Sequence, residues 1–135
     1  MSQKQKNDKI VEFQVLNQEV KNLHEKLESI NNSVQEMHIL GNTLKELKDI
    51  RESQEILVPL GQGIFAKGNI KNTDDLIVNV GSNIFLDKSL QETGDMVKLN
   101  MLNLSRLSEN VEEEINRNIG KLQELQKEIA ERGKQ

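Results

Sequence analysis

The stretch that decides the fold is Ile56-Leu-Val-Pro-Leu-Gly-Gln-Gly-Ile-Phe-Ala-Lys-Gly-Asn-Ile70, followed by a polar turn and Leu76-Ile-Val-Asn-Val-Gly-Ser-Asn-Ile-Phe-Leu86. It is short, β-branched, punctuated by glycine, and holds two of the three phenylalanines. Pro59 argues against helix, because it lacks an N–H and its ring disfavours helix interiors. The pattern predicts strands over 56–60, 64–70, 76–80 and 84–87. Gly61-Gln-Gly63 supplies the positive φ of a tight turn, Asn72-Thr-Asp74-Asp75 forms the polar connection, and Gly81-Ser-Asn83 turns the chain again. The expectation is two hairpins back to back.

Two hairpins of this length are marginal in water, and their edges offer unpaired N–H and C=O groups to any neighbour. They are therefore expected to pair with other chains in an obligate oligomer. The strand residues expected at that interface are Ile56, Val58, Leu60, Ile64, Phe65, Ile70, Leu76, Val78, Val80, Ile84 and Phe85.

Outward from this insert lie two long polar segments of nearly equal length. Upstream, Asn7 or Asp8 is the candidate cap of a helix over 8–53. Its apolar residues fall at Phe13, Leu16, Val20, Leu23, Leu27, Ile30, Val34 and Met37, and Gly41 and Leu44 continue the alternation of three and four. Sustained over more than four heptads, this is a coiled-coil seam. Gly41 stands where a large side chain is expected, and reads as a local weak point, a close approach of the partner helix or a point of flexibility.

Downstream, Ser89 with Glu92 forms a capping-box pattern for a helix over 89–132. Its seam runs Leu90, Gly94, Val97, Met101, Leu104, Ser108, Val111, Ile115, Asn118, Leu122, Leu125 and Ile129. Asn118 at a seam position reads as a device that fixes register. Each helix of about 45 residues would be roughly 65–70 Å long. Equal arms around a β insert predict a mostly α fold with a small β part: a long antiparallel helical hairpin, with two β-hairpins at its base, oligomerising through the strands. One domain over 1–135 is expected. Val11, Val15 and Ile119 lie off the seam near the free end. Ile39, Leu40, Leu99 and Leu102 lie off it nearer the base, a patch readable as a client surface or as subunit packing.

Composition agrees with thin seams. Hydrophobic residues are 35%, charged 30% and aromatic 2% of 135 residues, with no Trp or Tyr, so the core must be aliphatic. Net charge is −4, with 8 basic and 9 acidic residues over 1–53, 3 and 4 over 54–89, and 7 and 9 over 90–135. No region offers a phosphate-binding face, which disfavours nucleic acid. With no cysteine, disulfide and thiolate chemistry are excluded. Met-Ser-Gln-Lys-Gln-Lys-Asn-Asp lacks the apolar core of a signal peptide, and no apolar run spans a membrane, so a cytoplasmic protein is expected.

Catalytic motifs are missing. Gly61-Gln-Gly63-Ile-Phe-Ala66 matches a loose dinucleotide pattern, but a strand-like run follows where a helix is required. His24 and His38 are about 21 Å apart along a helix, too far to share a metal. Glu112-Glu113-Glu114 points around the helix and reads as a solvated face. No enzyme activity, cofactor or metal is expected.

The run Leu57-Val58-Pro59-Leu60-Gly61-Gln62-Gly63-Ile64-Phe65-Ala66-Lys67-Gly68, with Val78-Asn79-Val80-Gly81, resembles the α-class subunit of prefoldin, a chaperone of archaea and eukaryotes. The family's α-class pattern has a similar VPLGxGxxxKG run and a later VxVG. The β class has one hairpin, so the second hairpin points to the α class. Ser82-Asn83-Ile84-Phe85 departs from the more usual Gly/aromatic-rich turn after VG. The resemblance implies a hexamer of two α and four β subunits, with hairpins closing into β-barrels and coiled coils hanging as tentacles. Such an assembly uses no ATP, captures unfolded or nascent polypeptides at its tips and passes them to the cytosolic group II chaperonin. An α-like variant instead forms filaments, and a structural coiled-coil adaptor with one dedicated partner is the rival reading. By position, the client-binding residues expected at the tips are Ile10, Val11, Phe13, Val15 and Leu16, with Leu122, Leu125, Ile129 and Ala130.

Overall fold

Ser2 starts the first helix. The Gln5 N–H donates to Ser2 Oγ at 3.3 Å, and the Ser2 N–H donates to Gln5 Oε1 at 3.3 Å. This reciprocal pair satisfies orphan donors of the first turn. The computed structural model describes residues 2–51 and 53–132, and in it helix α1 spans Gln3–Leu47. The start at Asn7 or Asp8 is thus corrected: the local Ser2–Gln5 cap is available five residues earlier. The end at 53 is corrected too. From Lys48 the backbone tightens into three-residue bonds, Lys48 to the Lys45 carbonyl, Asp49 to Glu46 and Ile50 to Leu47, and the helix closes.

Four strands follow: β1 (Ile56–Gly61), β2 (Ile64–Gly68), β3 (Asp75–Gly81) and β4 (Ile84–Ser89). They form two separate antiparallel sheets, β1 with β2 and β3 with β4. β2 stops at Gly68, short of the expected Ile70, because Gly68 already pairs with Ile56, the first residue of β1, and the ladder runs out. β4 extends past 87 to Ser89, which pairs with Asp75.

The two turns are built alike. Gln62 and Gly63 have φ of 53° and 79°, Ser82 and Asn83 of 51° and 59°, so both central residues are left-handed, as the primed hairpin turns require. Before each turn a glycine, Gly61 or Gly81, adopts φ near 118° at a β-bulge, a conformation that a Cβ would strain. Asn79 Oδ1 accepts from the Gly81 N–H at 3.0 Å and holds the second bulge.

Helix α2 (Leu90–Arg132) leaves β4 directly. Ser89 caps it: Ser89 Oγ accepts from the Glu92 N–H at 3.1 Å, while the Thr93 hydroxyl donates to the Ser89 carbonyl at 2.8 Å. The Glu92 carboxylate lies 4.0 Å from Lys88 Nζ. The fold is therefore two long helices with two small antiparallel β-hairpins between them.

Every expected seam position on both helices is buried or half-buried, and the residues between them are mostly exposed. Packing divides into two bodies. The first takes the chain up to Val34 and from Asn103 onward. Val20, Leu23 and Ile30 of α1 pack with Val111 and Ile115 of α2, flanked by Leu27, Val34, Leu104, Ile119 and Leu122. Ile119 was expected off the seam, but one turn from Ile115 and Leu122 it reaches the cluster's flank. The Ser108 hydroxyl donates to Asn31 Oδ1 at 3.2 Å, and Lys9 Nζ donates to Glu128, so the helices run antiparallel here. Asn118 is 7% exposed and its Nδ2 has no partner.

The second body is Gln35–Leu102. Leu44, Leu90 and Val97 form its core, with Met37, Leu47 and Leu76 against it. Leu76 ties the second hairpin to the helices. Among the described residues, no side chain of β1 or β2 joins either cluster. A Cβ on Gly41 would lie 3.9 Å from Val97 Cγ1, an ordinary contact. Close helix approach therefore does not demand this glycine.

Ile115→Ala should lower unfolding free energy by roughly 2–4 kcal/mol, the cost of emptying a buried aliphatic site. Asn118→Leu should raise it by about 1–2 kcal/mol, because an unsatisfied buried amide is removed. Urea denaturation at one fixed protein concentration checks both. Unchanged or lower stability for Asn118→Leu would show that the amide is satisfied.

Candidate functional site

Two groups of apolar side chains remain open to solvent. The first is on the hairpins. Directly opposed residues share a face, so β1–β2 presents Ile56, Val58, Leu60, Ile64 and Ala66 on one side and Leu57, Pro59 and Phe65 on the other. β3–β4 likewise presents Leu76, Val78, Ile84 and Leu86 on one face and Ile77 with Phe85 on the other. Of the residues expected at an interface, Val58, Leu60, Ile64, Phe65, Val80, Ile84 and Phe85 are exposed, and Ile56, Leu76 and Val78 are half-buried. Ile70 lies beyond the end of β2.

Sequence reasoning missed Leu57, Leu86 and Ile77, the last 74% exposed. The residues expected from sequence already fall on both faces, with Phe65 and Phe85 opposite the rest, and Leu57, Ile77 and Leu86 extend those faces. A signal for Leu57 and Ile77 existed: Leu57-Val-Pro-Leu-Gly-Gln-Gly-Ile-Phe65 repeats, twenty residues later, as Ile77-Val-Asn-Val-Gly-Ser-Asn-Ile-Phe85. The structure realises the repeat residue for residue, with Phe65 opposite Pro59, Phe85 opposite Asn79, and the bulge at the same place. The chain therefore carries two equivalent arms. They differ in their edges: Pro59 removes a backbone donor from β1, where Asn79 keeps one in β3.

The second group lies at the helix ends of the first body. The Lys9–Glu128 ion pair brings Ile10 and Phe13 level with Leu125 and Ile129. A half-buried pair still open to solvent is worth about 1 kcal/mol or less, so it sets level more than strength. Val11 and Val15, one turn apart, are 56% and 63% exposed, and Ala130 is exposed. Ile10, Phe13, Leu16, Leu122 and Ile129 are half-buried, and Leu125 is buried at 9%. Val15 also lines a shallow surface depression with Gln14, Gln18, Glu19 and Asn22. Val11 and Val15 are thus immediately available to a ligand, while Leu125 is reached only if the seam opens.

Ile39, Leu40, Leu99 and Leu102 are exposed, but by heptad position they do not make one patch. Ile39 and Leu99 sit on the backs of their helices, and Leu40 and Leu102 flank opposite sides of the seam. His24 and His38 are exposed, and among the described residues no group of three or more His, Asp or Glu could hold a metal ion. No described helix is long and apolar enough to cross a membrane.

Comparison with known proteins agrees with this arrangement. The family model for the prefoldin subunit matches residues 16–135. Among solved structures, the filamentous PFD of Methanocaldococcus jannaschii, determined by cryo-EM, is similar with a TM-score of 0.75 at 20% identity, covering 90% of this chain and 98% of that one. No curated protein matches. With two hairpins between seam-forming helices, and a family match over most of its length, the chain belongs to the prefoldin family.

Proposed function

We propose that the chain is an α-class subunit of an ATP-independent chaperone. The observation that carries this reading is the two kinds of exposed aliphatic surface, one on self-contained hairpins and one at paired helix ends. The hairpins are the assembly elements, through which two α-class subunits join four β-class subunits. The helix ends hold unfolded or nascent polypeptides, which pass to a group II chaperonin in the cytoplasm. Val11 and Val15 make first contact, and the half-buried Ile10, Phe13, Leu16, Leu122 and Ile129, then Leu125, add area as the ends part. Ala130 completes the surface. Several weakly binding arms acting together give useful avidity with fast exchange. A second reading, assembly into filaments of like subunits, is favoured by the similarity to a filamentous PFD. Both readings use the same strand surfaces and differ in the partner.

Val11→Ser with Val15→Ser and Phe13→Ser should reduce suppression of aggregation of a chemically denatured model enzyme several-fold, with assembly mass unchanged by native mass spectrometry. Undiminished suppression would remove the tips from the reading. Selective binding of one folded protein, with no effect on denatured clients, would favour an adaptor instead.

Phe65→Glu with Phe85→Glu should abolish assembly while leaving helix content unchanged, measured by native mass spectrometry and circular dichroism. Electron microscopy of the wild type, with and without a β-class subunit, separates hexamer from filament.

A further inference from the structure

Gly41 on α1 and Gly94 on α2 occupy seam positions that the repeat elsewhere mostly gives to aliphatic residues. Each glycine costs its helix about 1 kcal/mol relative to alanine. Local packing does not require either. A Cβ at Gly94 would meet nothing within 4 Å, and one at Gly41 would make only the ordinary contact with Val97. What the two glycines create is a groove of about 480 Å³ along the seam of the second body, within the size range of small-ligand sites.

The groove has an apolar floor and a basic rim. Leu44, Leu90, Val97 and Met101 line the floor. Lys45, Lys48 and Lys98 stand on the rim, and Asp95 is the one carboxylate among the lining residues. Among the described residues, none of the three lysines forms an ion pair. Lys45, in the last turn of α1, suits the helix dipole. Lys48, whose N–H bonds to the Lys45 carbonyl at the end of α1, suits it as well, so two of the three are accounted for; Lys98 lies well inside α2. A surplus of unneutralised positive charge around an apolar trough contrasts with the net charge of −4 of the whole chain.

We propose that this groove binds an acidic linear segment of another protein carrying a bulky aliphatic side chain. A Leu or Ile fills the space over Gly41 and Gly94, and flanking Asp or Glu carboxylates meet Lys45, Lys48 and Lys98. The floor supplies affinity through burial, and the rim supplies sign selectivity and faster encounter. The site is distinct from the helix ends and from the strand faces, and it does not depend on either being a client or assembly surface.

The test is fluorescence anisotropy on the full assembled chain with three labelled short peptides, built from Glu and Leu, from Gln and Leu, and from Lys and Leu. The Glu/Leu peptide should bind at least about tenfold more tightly than the other two, and raising salt should weaken it. Lys45→Glu with Lys48→Glu and Lys98→Glu should reduce that binding at least about tenfold. Gly94→Leu, whose Cβ would meet nothing within 4 Å, should reduce it independently with the rim charges intact. Lys98→Gln should give a smaller loss and guards against misfolding of the triple variant. Equal binding of the Glu/Leu and Gln/Leu peptides would overturn the proposal, as would unchanged binding to the Gly94 and lysine variants. A change in oligomeric state in the lysine variants, with peptide binding intact, would assign the groove to a second copy of the chain and also overturn it.

Discussion

Two helices zipped through a single file of aliphatic side chains are the interaction on which the rest of the chain depends. With three phenylalanines and no Trp or Tyr, no thicker core is available. The consequence is visible in burial. Among the described residues no large side chain is completely enclosed, and even the best-covered, Val111 and Ile115, keep 3% and 4% of their surface. Stability is then a sum over many partly buried positions along the length, each contributing on the order of 1–2 kcal/mol. Such a seam tolerates individual defects, because each position answers mainly to its neighbours across and one turn away.

The hairpins obey the opposite rule. A two-stranded ribbon has two edges and two faces, and here the chain covers little of either. Leu76 docks the second hairpin on the core formed by Leu44, Leu90 and Val97, while among the described residues no side chain of the first hairpin joins a core cluster. What fixes each ribbon is local: a turn with two left-handed residues and a glycine at the bulge. Phe65 and Phe85, instead of being used to thicken a core, are left outside at matching places. Two of the three aromatic residues of the chain thus add to the exposed apolar surface of the ribbons instead of to a core.

Much of this was legible in the sequence, for physical reasons that also explain the misses. Every position named by the heptad alternation is buried or half-buried, because a period sustained over many turns leaves little freedom of phase, although Leu47 and Ile119, which also pack, were not among them. Both turns were legible from Gly61-Gln-Gly63 and Gly81-Ser-Asn83. Helix ends were not. The tapering of α1 at Leu47 has no glycine or proline to announce it, and the Ser2–Gln5 cap precedes the first seam residue, Phe13, by three turns. Alternation also cannot say whether a particular strand residue is covered, so Leu57 and Ile77 escaped notice. At the helix ends, sequence position grouped Leu125 with Val11 and Val15, although one is buried and the others are open. Phase along a helix sets which way a side chain points relative to the seam, and Val11, Val15 and Ala130 point away from it.

The polar breaks in the α2 seam are unequal, and their order along the helix is informative. Ser108 is compensated, since its hydroxyl reaches Asn31 on the partner helix. Asn118 is not: its Nδ2 is buried without a partner, and Gly120, whose absent Cβ would meet nothing, follows two residues later. An orphaned amide costs about 1–3 kcal/mol and a mid-helix glycine about 1 kcal/mol. Both defects fall between the well-packed Val111–Ile115 segment and Leu125 and Ile129. The register function first suggested by Asn118 would call for a partner amide or carbonyl across the seam, and none is made. A local weakening fits the geometry better. It lowers the cost of parting the helices beyond residue 118 while the cluster from Val20 to Ile30 with Val111 and Ile115 stays closed. Half-buried Phe13, Leu16 and Ile129 lie on the weakened side of that break, where each contact across the seam has few well-packed neighbours to support it.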